Sequence, residues 1–240
     1  RAGLSGALVM YVNVPHNPTG MGYTHTDWQA LFIWANEHNV TLIVDEAYID
    51  LRYRDDIVSA LQVPGWERCC IVLQSVSKGW NATGLRFGWI MAHPTVIKAL
   101  RKVMDVKDSG MFGPSIVAGL YCLTRPDLAR ETRQDYRVLH QKLADGLQKA
   151  GFAGGMPDAG LCQFTPAPKS VAGATFASAA ECAKWFREKL RISVMHAEAA
   201  GGQWLRWAVT LQPVPECGLT TEESIIEEAV RRLQYSPIKF

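Results

Sequence analysis

Three short polar segments of the sequence carry side chains that could do chemistry together. Each segment directly follows an apolar run, and the three cover residues 15–20 (PHNPTG), 45–48 (DEAY) and 74–78 (QSVSK). If the runs are neighbouring parallel strands, their carboxyl ends meet at one edge of a sheet, where open α/β sheets bind ligands. The side chains that we expect to line one crevice there are Asn17, Asp45, Tyr48, Ser75 and Lys78.

The chemistry that needs these residue types is that of an aldehyde-bearing, phosphorylated pyridine. A lysine that is partly desolvated in a crevice can attack an aldehyde and form a Schiff base. A buried carboxylate keeps a pyridine nitrogen protonated, and a hydroxyl with a guanidinium near a glycine-rich bend holds a phosphate. Lys78, Asp45, and the pair Ser75 with Arg86 fit these demands. The set favours pyridoxal phosphate over a nucleotide, because the sequence has no GxGxxG or Walker-type loop.

Each of these residues also has an ordinary structural explanation. Turns favour Asn, Pro and Gly, and an acid at the end of a strand often caps the following helix. Only the shared sheet edge gives the chemical interpretation more weight than these separate explanations.

The motifs PHNPTG, DEAYIDL and SVSKGWNATGLRFGW, in this order and spacing, resemble those of the fold-type I, class I/II aminotransferases that use pyridoxal phosphate. The resemblance implies that Lys78 bonds the cofactor aldehyde and that Asp45 pairs with the pyridine nitrogen. It also implies that Asn17 and Tyr48 form hydrogen bonds with the phenolic oxygen of the cofactor. In this interpretation Lys78, Asp45 and Tyr48 are the catalytic residues.

The resemblance extends to the phosphate and to the substrate. It implies that Ser75 and Arg86 hold the cofactor phosphate, and that Arg206, within WLRWAV, grips the α-carboxylate of the substrate. A guanidinium suits this role because it binds a carboxylate through two parallel hydrogen bonds. Without the family context, an arginine between Trp204 and Trp207 is more simply explained as a surface residue stacked on an aromatic ring.

The activity implied is transamination between an α-amino acid and a 2-oxo acid, in a cytoplasmic homodimer. The part of the family that precedes its NPTG motif has no counterpart here, so we expect the activity to belong to a longer parent chain and this chain alone to be inactive. Two alternatives stay open. One is a C–S lyase or an aminocyclopropane-carboxylate synthase type of enzyme with the same fold and cofactor, and the other is a truncated, non-catalytic module.

Composition excludes several other classes of function. The formal net charge is +2 and neither sign forms a long block, so nucleic acid and membrane surfaces are not expected partners. No apolar run approaches the roughly 20 residues that span a bilayer, and a reducing cytosol is the default location. The 6 cysteines show no CxxC pair, so no metal site is expected.

Hydrophobic patterns predict the strands and helices that position these residues. The apolar runs 7–14, 40–44 and 70–73 indicate strands, and they lack alternation, which is typical of strands covered on both faces. Strands alternating with helices favour a parallel sheet. A first helix is expected after Thr24 or Thr26, with one apolar face formed by Trp28, Leu31, Phe32 and Ala35.

The second half predicts a different arrangement. A long helix starts near Pro126 and carries a stripe of Leu139, Leu143 and Leu147. We expect strands at 161–164, 192–195 and 204–211, a helix at 178–190, and a closing helix that begins with a capping box from Thr220 to Glu223. The predicted fold is α/β: a partial aminotransferase-like large domain (1–125) with a mostly parallel sheet and helices, and a smaller C-terminal α+β domain (126–240).

Overall fold

The chain folds as two compact units in a computed structural model that describes residues 8–107, 110–199, 201–234 and 236–240. Among the described residues, the first unit holds 8–17, 21–133 and 158–160, and the second holds 18–20, 134–157 and 161–240. One of the passages from the first unit to the second lies within a single helix, between Arg133 and Gln134. The domain boundary that the sequence suggests at Pro126 coincides with the start of that helix, and it stays a prediction.

The first unit is built around a four-stranded sheet in the order β1-β2-β3-β4. Its elements are β1 (Val9–Asn13), α1 (His25–Glu37), β2 (Thr41–Asp45), β3 (Cys70–Ser75), α2 (Val76–Gly79), β4 (Gly88–Ala92), α3 (Pro94–Lys107), α4 (Gly113–Thr124) and the beginning of α5 (Pro126–Lys149). Together with the helices, this sheet makes the fold α/β, as predicted.

The sheet is mixed, because its last strand runs against the others. The β1–β2 and β2–β3 pairs are parallel, whereas β3 and β4 pair antiparallel, with Ser75 opposite Gly88. A parallel return would need the connecting segment to cross over and pack across one face of the sheet. The chain after β3 instead turns back through Asn81 and Arg86, which both have positive φ, so β4 comes back alongside β3.

Helix α1 explains why one face of the sheet is buried. Thr24 caps it, and the Thr24 and Asp27 side chains accept reciprocally from the other residue's backbone N–H. Its residues Trp28, Phe32 and Ala35 are buried in one core with strand residues that include Val12, Leu42, Val44 and Val72.

The opposite face of the sheet is less covered than the sequence suggests. The runs without alternation predicted strands covered on both faces, but burial alternates along β2: Leu42 and Val44 are buried, while Ile43 and Asp45 are half-buried. At the edge of the sheet, Tyr11 is 61% exposed. Since successive side chains of a strand point to opposite faces, α1 covers only one of the two sets. The other set includes Asp45.

The second unit contains two small antiparallel sheets, in the orders β5-β9-β8 and β10-β6-β7. Its elements, after the rest of α5, are β5 (Cys162–Pro166), β6 (Ser170–Val171), β7 (Ala174–Thr175), α6 (Ala179–Trp185), β8 (Met195–Ala199), β9 (Gly202–Ala208), α7 (Glu222–Gln234) and β10 (Ile238–Lys239). The leucine stripe predicted on α5 is buried in a core that also contains Phe186, Leu205 and Trp207.

Three predictions for the second unit need correction. The strand expected at 192–195 begins only at Met195, because the chain leaves the preceding helical turn through Arg191 at φ 57° and then buries Ile192 in the core. The predicted helix 178–190 ends as an α-helix at Trp185 and continues as a π-turn. The closing helix is capped by reciprocal bonds between Thr221 and Ser224, one residue later than predicted.

Candidate active site

Asp45 is the last residue of β2, and both of its carboxylate oxygens accept hydrogen bonds. The Tyr11 hydroxyl donates to Oδ2 at 2.5 Å, and the Ala47 backbone N–H donates to Oδ1 at 3.1 Å. These bonds fix the orientation of the carboxylate at the carboxyl end of the sheet. This is the position at which an open α/β sheet presents groups to a ligand.

Asn17 and Tyr48 come together although 31 residues separate them in the chain. The Asn17 side-chain amide donates to the Tyr48 hydroxyl at 3.1 Å. Asn13, at the end of β1, accepts from the Asn17 backbone N–H at 2.9 Å and donates to the Asp45 backbone carbonyl at 3.1 Å. The Asn13 side chain therefore ties the loop that carries Asn17 to the strand that carries Asp45.

Lys78 and Ser75 lie on the short segment that follows β3. Ser75 caps the single-turn helix α2 by accepting from the Ser77 backbone N–H at 3.3 Å, and Lys78 lies within that turn. The Lys78 ammonium nitrogen is 6.0 Å from the centroid of the Tyr48 ring, a distance typical of a cation–π contact. The structure thus brings Lys78, Tyr48 and Asn17 into one group.

Arg86 lies on the return from α2 to β4, in the left-handed region at φ 52°. Its guanidinium donates to the Thr83 backbone carbonyl at 3.1 Å, and its side chain is exposed. The neighbouring Phe87 carbonyl accepts from the Val76 backbone N–H at 3.3 Å, which holds this return against the start of α2. This hydrogen bond therefore holds the segment that carries Arg86 beside the segment that carries Ser75.

An open cavity of about 760 Å³ lies at the ends of β1 and β2. Three of the residues that the sequence singles out lie in its wall, and most of the other lining residues come from the segments around them. The wall is formed by Tyr11, Val12, Asn13, Val14, His16, Asn17, Met21, Tyr23, Asp45, Ala47 and Tyr48. The convergence of Asn17, Asp45 and Tyr48 is the geometry that a ligand site at this sheet edge requires.

Tyr11 and Asn13 belong to this site, although the sequence analysis did not select them. Their signal is the strand register: in the parallel β1–β2 pair, Asn13 is opposite Asp45 and Tyr11 is opposite Ile43, so all four share one face. The hydrogen bond to Asp45, followed by burial and the Asp45 charge, raises the pKa of Tyr11 to about 12. This shift favours the protonated form of Tyr11, in which the hydroxyl can donate to Asp45.

Glu46, the neighbour of Asp45, is 1% exposed and lies on the other side of the sheet. It accepts from the Ser59 hydroxyl at 2.7 Å, the Ala60 backbone N–H at 2.7 Å and the Gln74 amide at 2.6 Å. Burial raises the pKa of Glu46, and these three hydrogen bonds oppose that effect. Its bond to Gln74 links the end of β2 to the end of β3, just before Ser75.

Arg206 belongs to the second unit, on the central strand β9 of its first sheet. It is half-buried and pairs with Phe164 on one side and Met195 on the other. The ring of Trp204 stacks on Phe164, with 5.0 Å between centroids and 15° between planes, while the Trp207 ring is buried in the core. The proposed carboxylate role of Arg206 stays a prediction.

Within the part of the chain that the structure describes, no helix is both long and apolar enough to cross a membrane. The same residues contain no group of three or more His, Cys, Asp or Glu side chains that could hold a metal ion.

The sequence matches the family described as aminotransferase class I and II over residues 3–213. This chain belongs to that family. The family is dependent on pyridoxal phosphate.

Curated relatives of this aminotransferase-family chain include two archaeal enzymes named LL-diaminopimelate aminotransferase. The one from Methanocaldococcus jannaschii is 30% identical over 239 residues, which are 98% of this chain and 57% of the relative. The one from Methanococcus maripaludis is 31% identical over 230 residues, which are 95% of this chain and 55% of the relative. The chain thus spans little more than half the length of these relatives.

Solved structures with the same fold include an aminotransferase from Staphylococcus aureus, with a TM-score of 0.83 and 21% identity, over 97% of this chain and 58% of that one. The aspartate aminotransferase from Thermotoga maritima matches with a TM-score of 0.78 and 20% identity, over 95% of this chain and 56% of that one. At these identities the likeness concerns the fold.

Proposed function

We propose that this chain contributes part of the cofactor site of an aminotransferase that transfers the amino group of an α-amino acid to a 2-oxo acid. The proposal is supported by the arrangement of four side chains at and beside one cavity. Asn17, Asp45 and Tyr48 share the wall of one cavity, and the Lys78 ammonium lies 6.0 Å from the Tyr48 ring. Turnover is assigned to a longer chain, because this one spans little more than half of its curated relatives.

The residues around the cavity fit pyridoxal phosphate by the chemistry of their donors and acceptors. Asp45 offers a carboxylate for a protonated ring nitrogen, and its oxygens are already held by Tyr11 and Ala47. Asn17 and Tyr48 offer an amide and a hydroxyl, held 3.1 Å apart, for a phenolic oxygen. When bound, the cofactor supplies an aldehyde and a ring that accepts electrons.

Lys78 has two tasks in this proposal. Its amine would hold the cofactor through the aldehyde, and the same nitrogen, when free of the cofactor, would take the proton from the substrate Cα. Helix α2 holds this side chain on the short segment directly after β3. Ser75 and Arg86, which flank this segment, are proposed to hold the phosphate, and their hydroxyl and guanidinium suit an anion.

The part of the proposal that concerns the substrate is based on Arg206 and on the names of the curated relatives. We propose that Arg206 binds the α-carboxylate of the substrate through two hydrogen bonds. The curated relatives are named for LL-diaminopimelate, which makes that amino acid the first substrate to test, followed by aspartate and aromatic amino acids.

The proposal includes a homodimer located in the cytoplasm. Exposed apolar side chains on α4 support association, since Val117 is 71%, Leu120 53% and Tyr121 56% exposed, and clustered apolar surface marks interaction sites. Sedimentation equilibrium of the 240-residue chain measures the association directly.

The decisive experiment concerns the identity of the lysine. The chain is incubated with millimolar pyridoxal phosphate, reduced with borohydride, digested, and analysed by mass spectrometry. We expect the cofactor to be attached at Lys78 and to be lost from that position in Lys78→Ala, with an unchanged circular dichroism spectrum. Lys102→Ala, which removes an exposed lysine of α3, serves as the matched control. Attachment spread evenly over surface lysines in both variants would contradict the proposal.

A titration of the same chain with pyridoxal phosphate, followed by visible absorbance, separates weak from firm cofactor binding. We expect half-saturation only at high cofactor concentration, because this chain spans little more than half the length of its curated relatives. A visible absorption band at stoichiometric cofactor that disappears in Lys78→Ala would show firm binding by this chain and contradict the expectation of weak binding.

The reaction type is tested with an amino acid alone. Transfer converts the bound cofactor to pyridoxamine phosphate and releases one equivalent of 2-oxo acid, whereas elimination releases ammonia continuously and regenerates the aldehyde. We expect the first result from a chain that carries the whole site, and the second result would favour the lyase alternative.

A further inference from the structure

The Tyr11 hydroxyl lies in the cavity wall and donates a hydrogen bond directly to the Asp45 carboxylate. Tyr11 is 61% exposed on the edge strand β1, so its ring does not belong to the core. Its hydroxyl nevertheless reaches Asp45 Oδ2 at 2.5 Å, two residues beyond its own partner Ile43 in the strand register. A diagonal neighbour on the same face of a strand pair is within reach of an aromatic side chain.

We propose that Tyr11 is a positioning residue, whose hydroxyl holds the Asp45 carboxylate in the orientation that a protonated pyridine nitrogen requires. The inference rests on the proposed function, because Asp45 is there the partner of that nitrogen. Tyr11 contacts Asp45. Any effect of Tyr11 on the cofactor is therefore indirect and depends on Asp45.

The geometry explains why a second donor to Asp45 is useful. Ala47 N–H binds Oδ1 at 3.1 Å, and with that bond alone the carboxylate could still rotate about it. The bond from Tyr11 to Oδ2 removes this freedom, so the orientation is set before a ligand arrives. A carboxylate with two oxygens has about four lone-pair sites, so it retains capacity for a third donor from the cavity.

The charge distribution agrees with this role. The hydrogen bond, burial and the negative charge of Asp45 together raise the pKa of Tyr11 to about 12, which favours the protonated, donating form of its hydroxyl. The protonated Tyr11 hydroxyl is therefore available as a donor to Asp45 Oδ2. A phenylalanine at this position would leave Asp45 Oδ2 without that donor.

The contact is tested first without any ligand. Tyrosines labelled with ¹³C at Cζ are followed by NMR up to about pH 11, and the Tyr11 signal is identified by its loss in Tyr11→Phe. At that pH an ordinary tyrosine, with a pKa near 10, is mostly ionised. We expect Tyr11 to stay mostly protonated in the wild-type chain and to become mostly ionised in Asp45→Asn. Ionisation of Tyr11 to the same extent in both chains would show that the contact is absent and would overturn the proposal.

The consequence for the ring nitrogen is tested with two ligands. Pyridoxal phosphate is compared with its analogue in which a C–H group replaces the ring nitrogen, by titration of the 240-residue chain. We expect Tyr11→Phe to weaken binding of pyridoxal phosphate roughly tenfold, the size of one net hydrogen bond, and to leave binding of the analogue unchanged within about twofold. In Asp45→Asn, the Tyr11 substitution should have no further effect. A matched control is Tyr23→Phe, which removes a hydroxyl from the same cavity wall.

The outcomes keep the two proposals apart. If the wild-type chain binds both ligands equally, the role of Asp45 in the proposed function is wrong. If it prefers pyridoxal phosphate but Tyr11→Phe weakens both ligands by the same factor, Tyr11 only stabilises the strand pair and the positioning role is wrong. If neither ligand binds, the proposed function fails for this chain, and the NMR titration alone decides whether Tyr11 controls Asp45.

Discussion

At the end of β2, two adjacent carboxylates belong to opposite sides of one sheet and meet different surroundings. On the cavity side, half-buried Asp45 is held by Tyr11 and Ala47 beside an open volume of about 760 Å³. On the core side, Glu46 is 1% exposed and accepts from Ser59, Ala60 and Gln74. The same functional group keeps acceptor capacity where it faces a cavity, and has that capacity taken up by core donors where it faces the core.

The largest effect on stability is expected from loss of the core-side carboxylate. Glu46→Ala leaves the Ser59 hydroxyl, the Ala60 N–H and the Gln74 amide without their acceptor inside the core, which should cost about 3 kcal/mol or more of unfolding free energy. Asp45→Ala, on the cavity side, should cost under about 1 kcal/mol, because water can replace the lost bonds. Urea unfolding followed by circular dichroism measures both. Equal losses would break the comparison.

A smaller effect is expected where the lysine-bearing turn packs on the segment after Glu46. A Cβ added at Gly79 would lie 2.6 Å from the Asp50 Cβ, so Gly79→Ala should destabilise the chain by about 2 kcal/mol through overpacking. Gly84→Ala is the matched control in the same polypeptide stretch, since a Cβ there meets nothing within 4 Å. We expect the control to stay within about 0.5 kcal/mol of wild type. A neutral Gly79→Ala would show that α2 can shift away from Asp50.

The smallest effect is a pH dependence specific to the core side. Burial raises the pKa of Glu46 above its ordinary value of 4.5, so between the two values the folded chain binds more protons than the unfolded chain. The unfolding free energy contributed by Glu46 therefore falls as the pH rises through that window. The difference in unfolding free energy between wild type and Glu46→Gln, measured by urea unfolding from about pH 4 to about pH 7, should fall accordingly.

A surface carboxylate supplies the opposite sign as a control. Arg231 and Arg232 lower the pKa of Glu228 to about 2, so its contribution is present above the ordinary value and is lost as the pH falls. The difference between wild type and Glu228→Gln should therefore decrease toward low pH. A Glu46 difference with this same sign would contradict its placement in the core.

Much of the candidate site could be predicted because the local sequence shows where each strand ends. Apolar runs followed by polar segments placed Asn17, Asp45 and Tyr48 at one sheet edge, and the structure puts all three in one cavity wall. The roles of all these residues toward a cofactor stay predictions, as do those of Lys78, Ser75 and Arg86 and the carboxylate role of Arg206. Tyr11 was missed because it looks like an ordinary β-strand aromatic until the register is known.

The features of the fold that the sequence did not predict concentrate where local pattern competes with packing. The direction of β4 depends on how the chain returns through Asn81 and Arg86, both at positive φ, which apolar periodicity does not encode. The strand expected at 192–195 begins only at Met195, and Ile192 is buried in a core assembled from distant segments. Hydrophobic pattern reports that a residue prefers burial, and it does not report in which element the burial takes place.

The amino-acid sequence by itself determined the motif residues, the strands that precede them and the family to which the chain belongs, because these depend on local order and spacing. Only the tertiary structure decided that Asp45 belongs to the cavity side and Glu46 to the core side. The physical reason is that a strand turns successive side chains to opposite faces, and packing of helix α1 chooses which face becomes the core. That same choice leaves Tyr11 on the open face, beside the carboxylate that it holds.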